Sequence, residues 1–418
     1  MADLNLSRPQ VNAATGDQQQ QLHGAVRPAS PTQDRQPDDI QRPRLEGHQA
    51  ASNEQQRLQA TTGADLAATR HQAPALQAST NHDQLVRFWQ ALHAGQVTEQ
   101  VFRRDPDANE VDDPPQAQVT RFLTLPDGVF WLGNSTLGSV LMVRSCYDGL
   151  FDAIINPPAN PEPHPFWMDP RVRPTWVVTG NPGIGKTFFL AYFVYRLFLQ
   201  HPQLAVVYEP AQPIPAVRYV LQPDQSVTQD RISFDSFSSR LLWAPNPETW
   251  YLVDGSSGHS SNVNTLLVTS PRGGLGKLLE KNANPMMFMP VWSWDELVAC
   301  LRQQNAAEER LQAAEERYYR WGGIARHVFD DELSLSESER RLNAAISNRT
   351  IASFRDLDLF TVEPDLSHGI FHIEVLPDGN PFQRTKITFA SRWVAGQVLK
   401  RALATERGEL MNFLRGSF

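Results

Sequence analysis

The chain has 418 residues and a formal net charge of −8, which argues against broad, sequence-independent attraction to nucleic acid, although a local basic patch is compatible with it. Its two cysteines, Cys146 and Cys300, are too few for a disulfide framework and form no metal-binding spacing, so a reducing compartment suits the chain. Because no stretch reaches about 18 uninterrupted apolar residues and no standard secretory signal is visible at the start, the sequence predicts a soluble, intracellular protein without a membrane partner.

The first 84 residues carry 15 Gln, and the first aromatic residue of the chain is Phe88. A segment with so few large apolar side chains cannot offset the entropy that it loses on ordering. Residues 1–84 are therefore predicted to be a disordered Gln-rich arm. The alternative is a polar helix over residues 46–77, which Gln and Ala favour.

A small ordered unit is predicted over residues 85–155. It begins with "QLVRFWQALHAG", whose apolar residues have helical spacing and whose Gly95 would end the helix. The segment "GVFWLGNST" indicates a strand and a turn, and the apolar run after it fits a strand or a helix. Seven prolines between positions 156 and 174 then indicate an extended linker, since proline fixes φ and removes an N–H donor.

Short apolar strands alternate with helices over residues 175–302. This alternation is typical of a parallel sheet with helices on both faces, so the fold class is predicted to be α/β, with a three-layer αβα core. The predicted strands are "TWVVTG", "LAVVYE", "AVRYVL", "ETWYLVDG", "NTLLVTS" and "PMMFMPVW". The predicted helices are "KTFFLAYFVYRLFLQ" and "SWDELVACLRQQ", and Ser293 and Glu296 form a capping box at the start of the second.

The rest of the chain is predicted to form a helical lid over residues 303–350 and a small C-terminal α+β module over residues 351–418. The module contains the strands "GIFHIEVL" and "RTKITFA" and a helix that begins after Ser391, an arrangement that suits a winged-helix-like module. Basic residues in this module make DNA binding an alternative to an ordinary solvated face. They are Arg384, Lys386, Arg392, Lys400 and Arg401.

The segment "GNPGIGKT", residues 180–187, matches the phosphate-binding pattern G-x-x-x-x-G-K-[ST]. Glycines let backbone N–H groups surround a phosphate, and the following helix points its positive end there. Lys186 would reach the β- and γ-phosphates, and Thr187 would place a hydroxyl on Mg²⁺. The predicted nucleotide-binding residues are Gly180, Asn181, Pro182, Gly183, Ile184, Gly185, Lys186, Thr187, Phe188 and Ser270. The second glycine cluster, "PRGGLGKLL", fails the pattern and is predicted to be a loop.

Two further strand ends and the lid supply partners for this loop. Asp254 ends the apolar strand "WYLVD", the arrangement of the second Mg²⁺ partner of P-loop NTPases. The strand "TLLVTS" ends in Thr269 and Ser270, with Arg272 behind, which would either face a γ-phosphate or simply form a turn. Arg326, after two glycines in "WGGIAR", would contact the γ-phosphate from the lid; the alternative is a solvated helix residue.

A catalytic base is not evident. Gly255 stands where many ATPases of this class have a glutamate directly after the strand aspartate. Glu209, at the end of "LAVVYE", is the best substitute by position, although it would equally suit a solvated strand end, and His259 is a weaker candidate. The predicted catalytic residues are therefore Lys186, Asp254, Glu209 and Arg326.

Several segments together resemble the P-loop NTPase region of Crinkler effectors and retrotransposon hot spot proteins, over about residues 120–418. They are, in order, "LGNSTLGSVLMVRSCYDGLFD", "VVTGNPGIGKTFFLAYFVYRL", "WYLVDG", "LLVTSPR", "MPVWSWDELVACL", "RYYRWGGIARHVF" and "ITFASRWVAGQVL". The resemblance implies a switch-type (ASCE/STAND-like) ATPase that binds ATP and Mg²⁺ and has protein partners. It also implies delivery into a host cell and its nucleus, although the LFLAK-type translocation motif is missing. The chain ends at "NFLRGSF", about where the family's C-terminal effector domain would begin. No nuclease or kinase motif can be quoted from this sequence, so neither activity is claimed.

The expected function is therefore that of a Mg²⁺-dependent ATPase acting as a nucleotide-driven switch. The alternative is an interaction module that holds a nucleotide without hydrolysing it, with DNA contact through the C-terminal module.

Overall fold

The computed structural model describes residues 81–104, 118–157, 175–211, 217–244, 248–255, 261–271, 286–332, 334–347, 369–377 and 381–405, with residues 407, 408 and 411. The predicted arm up to residue 80, nearly all of the Pro-rich linker, His259 and Arg272 lie outside the described residues. The described part begins in helix α1 (81–93), so residues 81–84, which were assigned to the arm, belong to a helix.

Between positions 96 and 157, the described residues form an antiparallel sheet followed by a helix. The sheet consists of β1 (Thr98–Arg104), β2 (Gln118–Thr124) and β3 (Val140–Val143), and α2 (Ser145–Ile155) follows it. The apolar run that fitted either a strand or a helix is thus a strand and then a helix. The strand predicted at "GVFWLGNST" is wrong, because short 3₁₀ turns occupy Trp131–Gly133 and Ser135–Leu137. Asn134 caps the second turn by accepting a hydrogen bond from Thr136 N, so local turn chemistry outweighs the apolar residues here.

Within the described residues, the largest sheet has seven strands in the order β10-β4-β9-β8-β5-β6-β7. The strands β10, β4, β9, β8 and β5 run parallel. The bounds are β4 (Thr175–Thr179), β5 (Ala205–Glu209), β6 (Val217–Leu221), β7 (Val227–Arg231), β8 (Thr249–Asp254), β9 (Asn264–Val268) and β10 (Met286–Phe288).

One edge of this sheet departs from the predicted parallel pattern, because β6 and β7 are antiparallel. Only residues 210–216 connect β5 to β6, whereas a parallel neighbour needs a crossover of about a dozen residues or more. The strand β7, "VTQDR", was not predicted because it is mostly exposed and polar. A tight turn at residues 222–226 joins it to β6, with Gln222 N donating to Ser226 O.

Helices cover both faces of the sheet. On one face, α3 (Lys186–Gln200) packs against a large core that includes Trp250 and Leu252 of β8. On the other face, α4 (Phe237–Trp243) packs its Leu242 against a smaller core that includes Tyr251 and Val253. The α/β core predicted from the sequence is confirmed at this level.

Residues 85–155 share the larger core with α3. The ring of Phe151 lies 5.2 Å from that of Phe193, and the ring of Tyr147 lies 5.4 Å from that of Phe189. The segment that the sequence analysis set apart as a small unit therefore packs directly on the helix that follows residues 180–185.

The remaining helices and a hairpin form a second cluster. The bounds are α5 (Trp294–Gln303), α6 (Glu308–Trp321), α7 (Ala325–Val328), α8 (Leu335–Ser347), β11 (Phe371–Val375), β12 (Thr385–Phe389) and α9 (Arg392–Thr405). The predicted capping box of Ser293 and Glu296 is present at the start of α5. The helices α6, α8 and α9 bury Trp321, Leu342 and Val394 together, so the predicted lid and C-terminal module share this core. Among the described residues, no helix combines the length and the apolar character that crossing a bilayer requires.

Candidate functional site

The residues 180–187, here called the glycine loop, connect β4 to α3. Gly183 has a φ of +79°, and a Cβ on it would lie 2.8 Å from the Cβ of Arg326. A Cβ on Gly180 would lie 2.7 Å from the carbonyl oxygen of Met289. Both positions therefore require glycine, because neighbouring chain segments approach the loop from outside.

Lys186, the first residue of α3, lies inside the glycine loop with 8% of its surface exposed. Its Nζ donates hydrogen bonds to the carbonyl oxygens of Gly180 at 2.9 Å and Asn181 at 2.8 Å. The loop is thus wrapped around a buried ammonium group, and its carbonyl dipoles stabilise the positive charge there.

Thr187 and Asp254 meet beside this lysine. Thr187 Oγ1 donates a hydrogen bond of 2.8 Å to Asp254 Oδ2, although 67 positions separate the two residues in the sequence. Burial raises the pKa of Asp254, while the hydrogen bond from Thr187 and the charge of Lys186 partly counteract that rise. A hydroxyl and a carboxylate therefore meet within electrostatic range of an ammonium group.

The sheet order explains this convergence. The strand β9 lies between β4, which leads into the loop, and β8, which ends at Asp254. The carboxyl ends of parallel strands lie at the same edge of a sheet. Ser270 follows β9 at this edge and is half-buried, and the N–H of Thr269 donates to Val178 O at 3.0 Å.

Arg326 reaches the glycine loop from the lid. Its backbone N–H donates to Gly183 O at 3.1 Å, and its side chain is exposed beside Gly183. The two glycines before it allow this approach, since a Cβ on Gly323 would lie 2.1 Å from Trp292 O. The structure thus brings Arg326 to the loop, and its contact with a phosphate remains a prediction.

The other predicted loop residues differ in burial. Ile184 is fully buried, whereas Pro182 and Phe188 are half-buried. Asn181 is 1% exposed; its side chain donates to Phe371 O at 2.9 Å and accepts from Ile373 N at 2.9 Å. Asn181 therefore ties the loop to β11, a connection that the sequence analysis did not foresee.

Glu209, the predicted substitute for a catalytic base, does not face the glycine loop. Its partner in the register of β5 and β8 is Val253, whose side chain lies in the core on the α4 side of the sheet. Asp254 and Glu209 therefore lie on opposite faces. The Glu209 carboxylate accepts a hydrogen bond of 2.8 Å from Arg218 Nε and another from Tyr251 OH, and with 4% exposure it is not a solvated strand end.

The last residue of β5 whose side chain shares the face of Asp254 is instead Tyr208. It lies on the α3 side, is fully buried, and shows a pKa raised by burial and then by the charge of Asp254. Tyr208 did not stand out in the sequence, because β5 is buried on both faces and therefore lacks the alternation of apolar and polar residues that would assign a side chain to one face.

Three more residues that sequence analysis missed hold the outer side of the loop. Trp292 Nε1 donates to Ile184 O at 2.7 Å, Tyr147 OH donates to Gly185 O at 3.2 Å, and Arg144 Nη1 lies 3.4 Å from Ile184 O. Their sequence contexts look like ordinary core positions. Of the residues around Arg144, the sequence pointed only to Glu296, as part of the predicted capping box. In the structure the carboxylate of Glu296 also pairs with Arg144 at 3.0 Å.

The predicted basic face of the C-terminal module is partly engaged. Lys386 pairs with Glu374 at 3.1 Å, and Arg401 donates to the carbonyl oxygen of Ile346. The ion pair balances the charge of Lys386, and the hydrogen bond to a neutral carbonyl holds Arg401 without balancing its charge, so one basic residue fewer than the sequence count is left unbalanced for a phosphate backbone.

No protein-family model matches the sequence, and no curated protein is significantly similar to it.

Proposed function

We propose that this protein binds ATP with Mg²⁺ at the glycine loop, hydrolyses it and acts as a nucleotide-driven switch. The observation that carries the proposal is the hydrogen bond of 2.8 Å between Thr187 and Asp254, beside the buried ammonium group of Lys186. The loop pattern is common to many nucleotide-binding proteins, but a carboxylate from a distant strand that meets the loop threonine is a separate, tertiary requirement.

The sheet order supports the proposal. One strand, β9, separates the strand of the glycine loop from the strand of Asp254, as in the class of P-loop ATPases that the sequence resembles. In that class the intervening strand end carries a polar group toward the γ-phosphate, and we assign this role here to Ser270, which follows β9.

The electrostatics suit a polyphosphate. Lys186 places a positive charge inside the loop, and its two carbonyl partners are neutral. An anionic phosphate oxygen is a stronger partner for an ammonium group than a carbonyl oxygen. The start of α3, a helix of 15 residues, adds the partial positive charge of its N-terminal N–H groups.

The oxygen atoms of Thr187 and Asp254 fit Mg²⁺. This cation prefers oxygen ligands and usually takes one or two from protein and the others from phosphates and water. The described residues contain no group of three or more His, Cys, Asp or Glu side chains placed to hold a metal ion alone, which suits a cation that arrives with its nucleotide. When bound, Mg²⁺ would neutralise phosphate charge.

The resemblance to Crinkler effectors and retrotransposon hot spot proteins extends the proposal. It favours ATP over GTP and a regulatory role with protein partners. The side chain of Arg326 is proposed to contact the γ-phosphate, since its backbone N–H already donates to Gly183 O. The tie between Asn181 and β11 offers a connection from the loop to the C-terminal module.

A second candidate is a module that holds ATP or ADP without hydrolysing it. The pairing of Glu209 with Arg218 on the opposite face of the sheet favours this candidate, because it removes the best-placed carboxylate. Gly255 follows Asp254, so that position supplies no base either.

Binding can be tested by calorimetric titration with Mg·ATP, Mg·ADP and Mg·GTP. We expect Lys186→Ala to weaken Mg·ATP binding by about 10- to 100-fold, the value of a lost charge-assisted hydrogen bond. Lys386→Ala is the matched control, since this lysine is 53% exposed in the C-terminal hairpin. Unchanged affinity in Lys186→Ala would refute the proposal. Phosphate release by the wild-type protein then separates the two candidates.

A further inference from the structure

Three consecutive carbonyl groups of the glycine loop are held from outside by three different parts of the chain. Gly183 O accepts from the N–H of Arg326 at 3.1 Å. Ile184 O accepts from Trp292 Nε1 at 2.7 Å, and Gly185 O accepts from Tyr147 OH at 3.2 Å as well as from the backbone N–H of Phe189 in α3 at 3.0 Å. Arg326 lies in the lid, Trp292 follows β10, and Tyr147 lies in α2. A different part of the chain therefore holds each of these three successive peptides.

Because the peptide bond is planar, the direction of each carbonyl group also fixes the direction of the N–H group of the next residue. In a trans peptide, the C=O of one residue and the N–H of the next point in opposite directions. Carbonyl groups held outward at positions 183, 184 and 185 therefore direct the N–H groups of Ile184, Gly185 and Lys186 inward. Among the described residues, no backbone carbonyl accepts a hydrogen bond from the N–H of Ile184 or Gly185.

Arg144 fixes the turn that carries Trp292. It is 1% exposed, and it donates to Pro290 O at 3.0 Å and to Val291 O at 2.9 Å. Its guanidinium carbon lies 4.7 Å from the centroid of the Trp292 ring. Glu296 balances its charge at 3.0 Å. The arginine thus holds both the backbone before Trp292 and the indole ring, in addition to its long contact with Ile184 O.

We propose that Trp292, Tyr147 and Arg144 are positioning residues for phosphate binding, which hold the loop carbonyls outward so that the N–H groups converge on the β-phosphate. This inference rests on the proposed function and adds residues outside the loop to it. Donors that are already oriented bind an anion without the loss of loop freedom that a mobile loop would suffer.

The test removes single hydrogen-bond donors and keeps an aromatic ring at each position. Trp292→Phe removes the indole N–H and keeps an aromatic ring beside Phe329, and Tyr147→Phe removes only a hydroxyl. Trp89→Phe is the matched control, because the Nε1 of this buried tryptophan also donates to a backbone carbonyl, that of Gln222, at 2.7 Å. All three variants are made in the full chain and titrated with Mg·ADP.

A spectroscopic readout is available at the braced peptide itself. The sequence contains a single Ile–Gly peptide, Ile184–Gly185. Labelling isoleucine with ¹³C at the carbonyl and glycine with ¹⁵N therefore yields one cross-peak that reports both the C=O bound by Trp292 and the N–H directed inward. We expect Mg·ADP to shift this peak in the wild-type protein and in Trp89→Phe, and to shift it less in Trp292→Phe.

We expect Trp292→Phe to bind Mg·ADP about 5- to 10-fold more weakly than the wild-type protein, and Tyr147→Phe about 2- to 5-fold more weakly, because the N–H of Phe189 still holds Gly185 O in that variant. Trp89→Phe should keep wild-type affinity. The melting temperatures of Trp292→Phe and Trp89→Phe without ligand should fall by similar amounts, so a general loss of stability would not explain the difference. If Trp292→Phe does not fold, Tyr147→Phe decides.

Wild-type affinity in both loop variants would overturn the positioning role alone. If the wild-type protein does not bind Mg·ADP or Mg·ATP at all, the proposed function fails and this inference fails with it.

Discussion

The change Glu209→Gln distinguishes a catalytic carboxylate from a buried structural one. The glutamine keeps the size of the side chain and its ability to accept the hydrogen bond from Tyr251, but it removes the negative charge. Arg218, which is 2% exposed, would then lose its paired anion while its hydrogen bonds of 3.2 Å to Ser239 Oγ and to Tyr251 OH persist.

The expected loss of stability follows from that burial. Removing one partner of a buried ion pair typically destabilises a protein by about 3–5 kcal/mol, because the other charge remains buried. Since the glutamine still offers a hydrogen-bonding oxygen to Arg218, we expect the lower end, about 3 kcal/mol. Replacing both residues, as Glu209→Gln with Arg218→Met, removes the stranded charge and should recover much of this loss.

The assay is urea unfolding at neutral pH, which gives the free energy of unfolding of each variant. Glu374→Gln is the matched control, since Glu374 pairs with Lys386 at 3.1 Å but is 49% exposed. Such a surface pair contributes about 0–1 kcal/mol. The folded fraction of Glu209→Gln should bind Mg·ATP with wild-type affinity, because Glu209 and Asp254 lie on opposite faces of the sheet.

One combination of results would refute this reasoning. If Glu209→Gln unfolds at the same urea concentration as the wild-type protein and yet loses phosphate release, then Glu209 reaches the nucleotide and acts as the base after all.

Three further outcomes are expected. Burial, then the charge of Arg326, lowers the pKa of His327 to about 4, while Asp330 opposes the shift. The stability contributed by the neutral His327 is therefore complete above the ordinary pKa of 6.5 and is lost as the pH falls toward 4. At about pH 5 the free energy of unfolding should be lower by about 2 kcal/mol. Unfolding curves of His327→Phe should lack this loss, and an equal loss in that variant would assign it elsewhere. Asn181→Ala should accelerate hydrogen exchange at the Ile373 amide, which loses its acceptor, and an unchanged rate would show that β11 does not depend on the loop. Thr187→Val should weaken Mg·ATP binding much more than binding of ATP in EDTA, whereas equal weakening would argue against a metal ligand.

Local patterns in the sequence were enough for much of the fold and for the centre of the site. The loop from Gly180 to Thr187 is contiguous, and its glycines, lysine and threonine have fixed spacing, so the pattern is visible without any tertiary information. The strand that ends at Asp254 is a continuous apolar run, and the helix after Lys186 has the length and composition of a buried helix. These features depend on neighbours in the chain, which the sequence shows directly.

The sequence did not show on which face of the sheet each side chain of these strands lies. The segments "AVVYE" and "TWYLVD" are buried on both sides, so they lack the alternation of apolar and polar residues that would assign a side chain to one face. The pairing of Glu209 with Val253 decides the question, and a register shifted by one residue would have placed Glu209 beside the loop.

The sequence of this protein by itself determined the spacing of the glycine loop, the strand and helix on either side of it, and the apolar strand that ends at Asp254. Only the tertiary structure decided what holds that loop in shape, because Arg144 and Trp292 stand 40 and 108 positions from Ile184. A hydrogen bond from a distant side chain to a backbone carbonyl leaves no periodicity, spacing or composition in the sequence. It arises from the way in which the packed elements meet, and so it becomes visible only when the chain is folded.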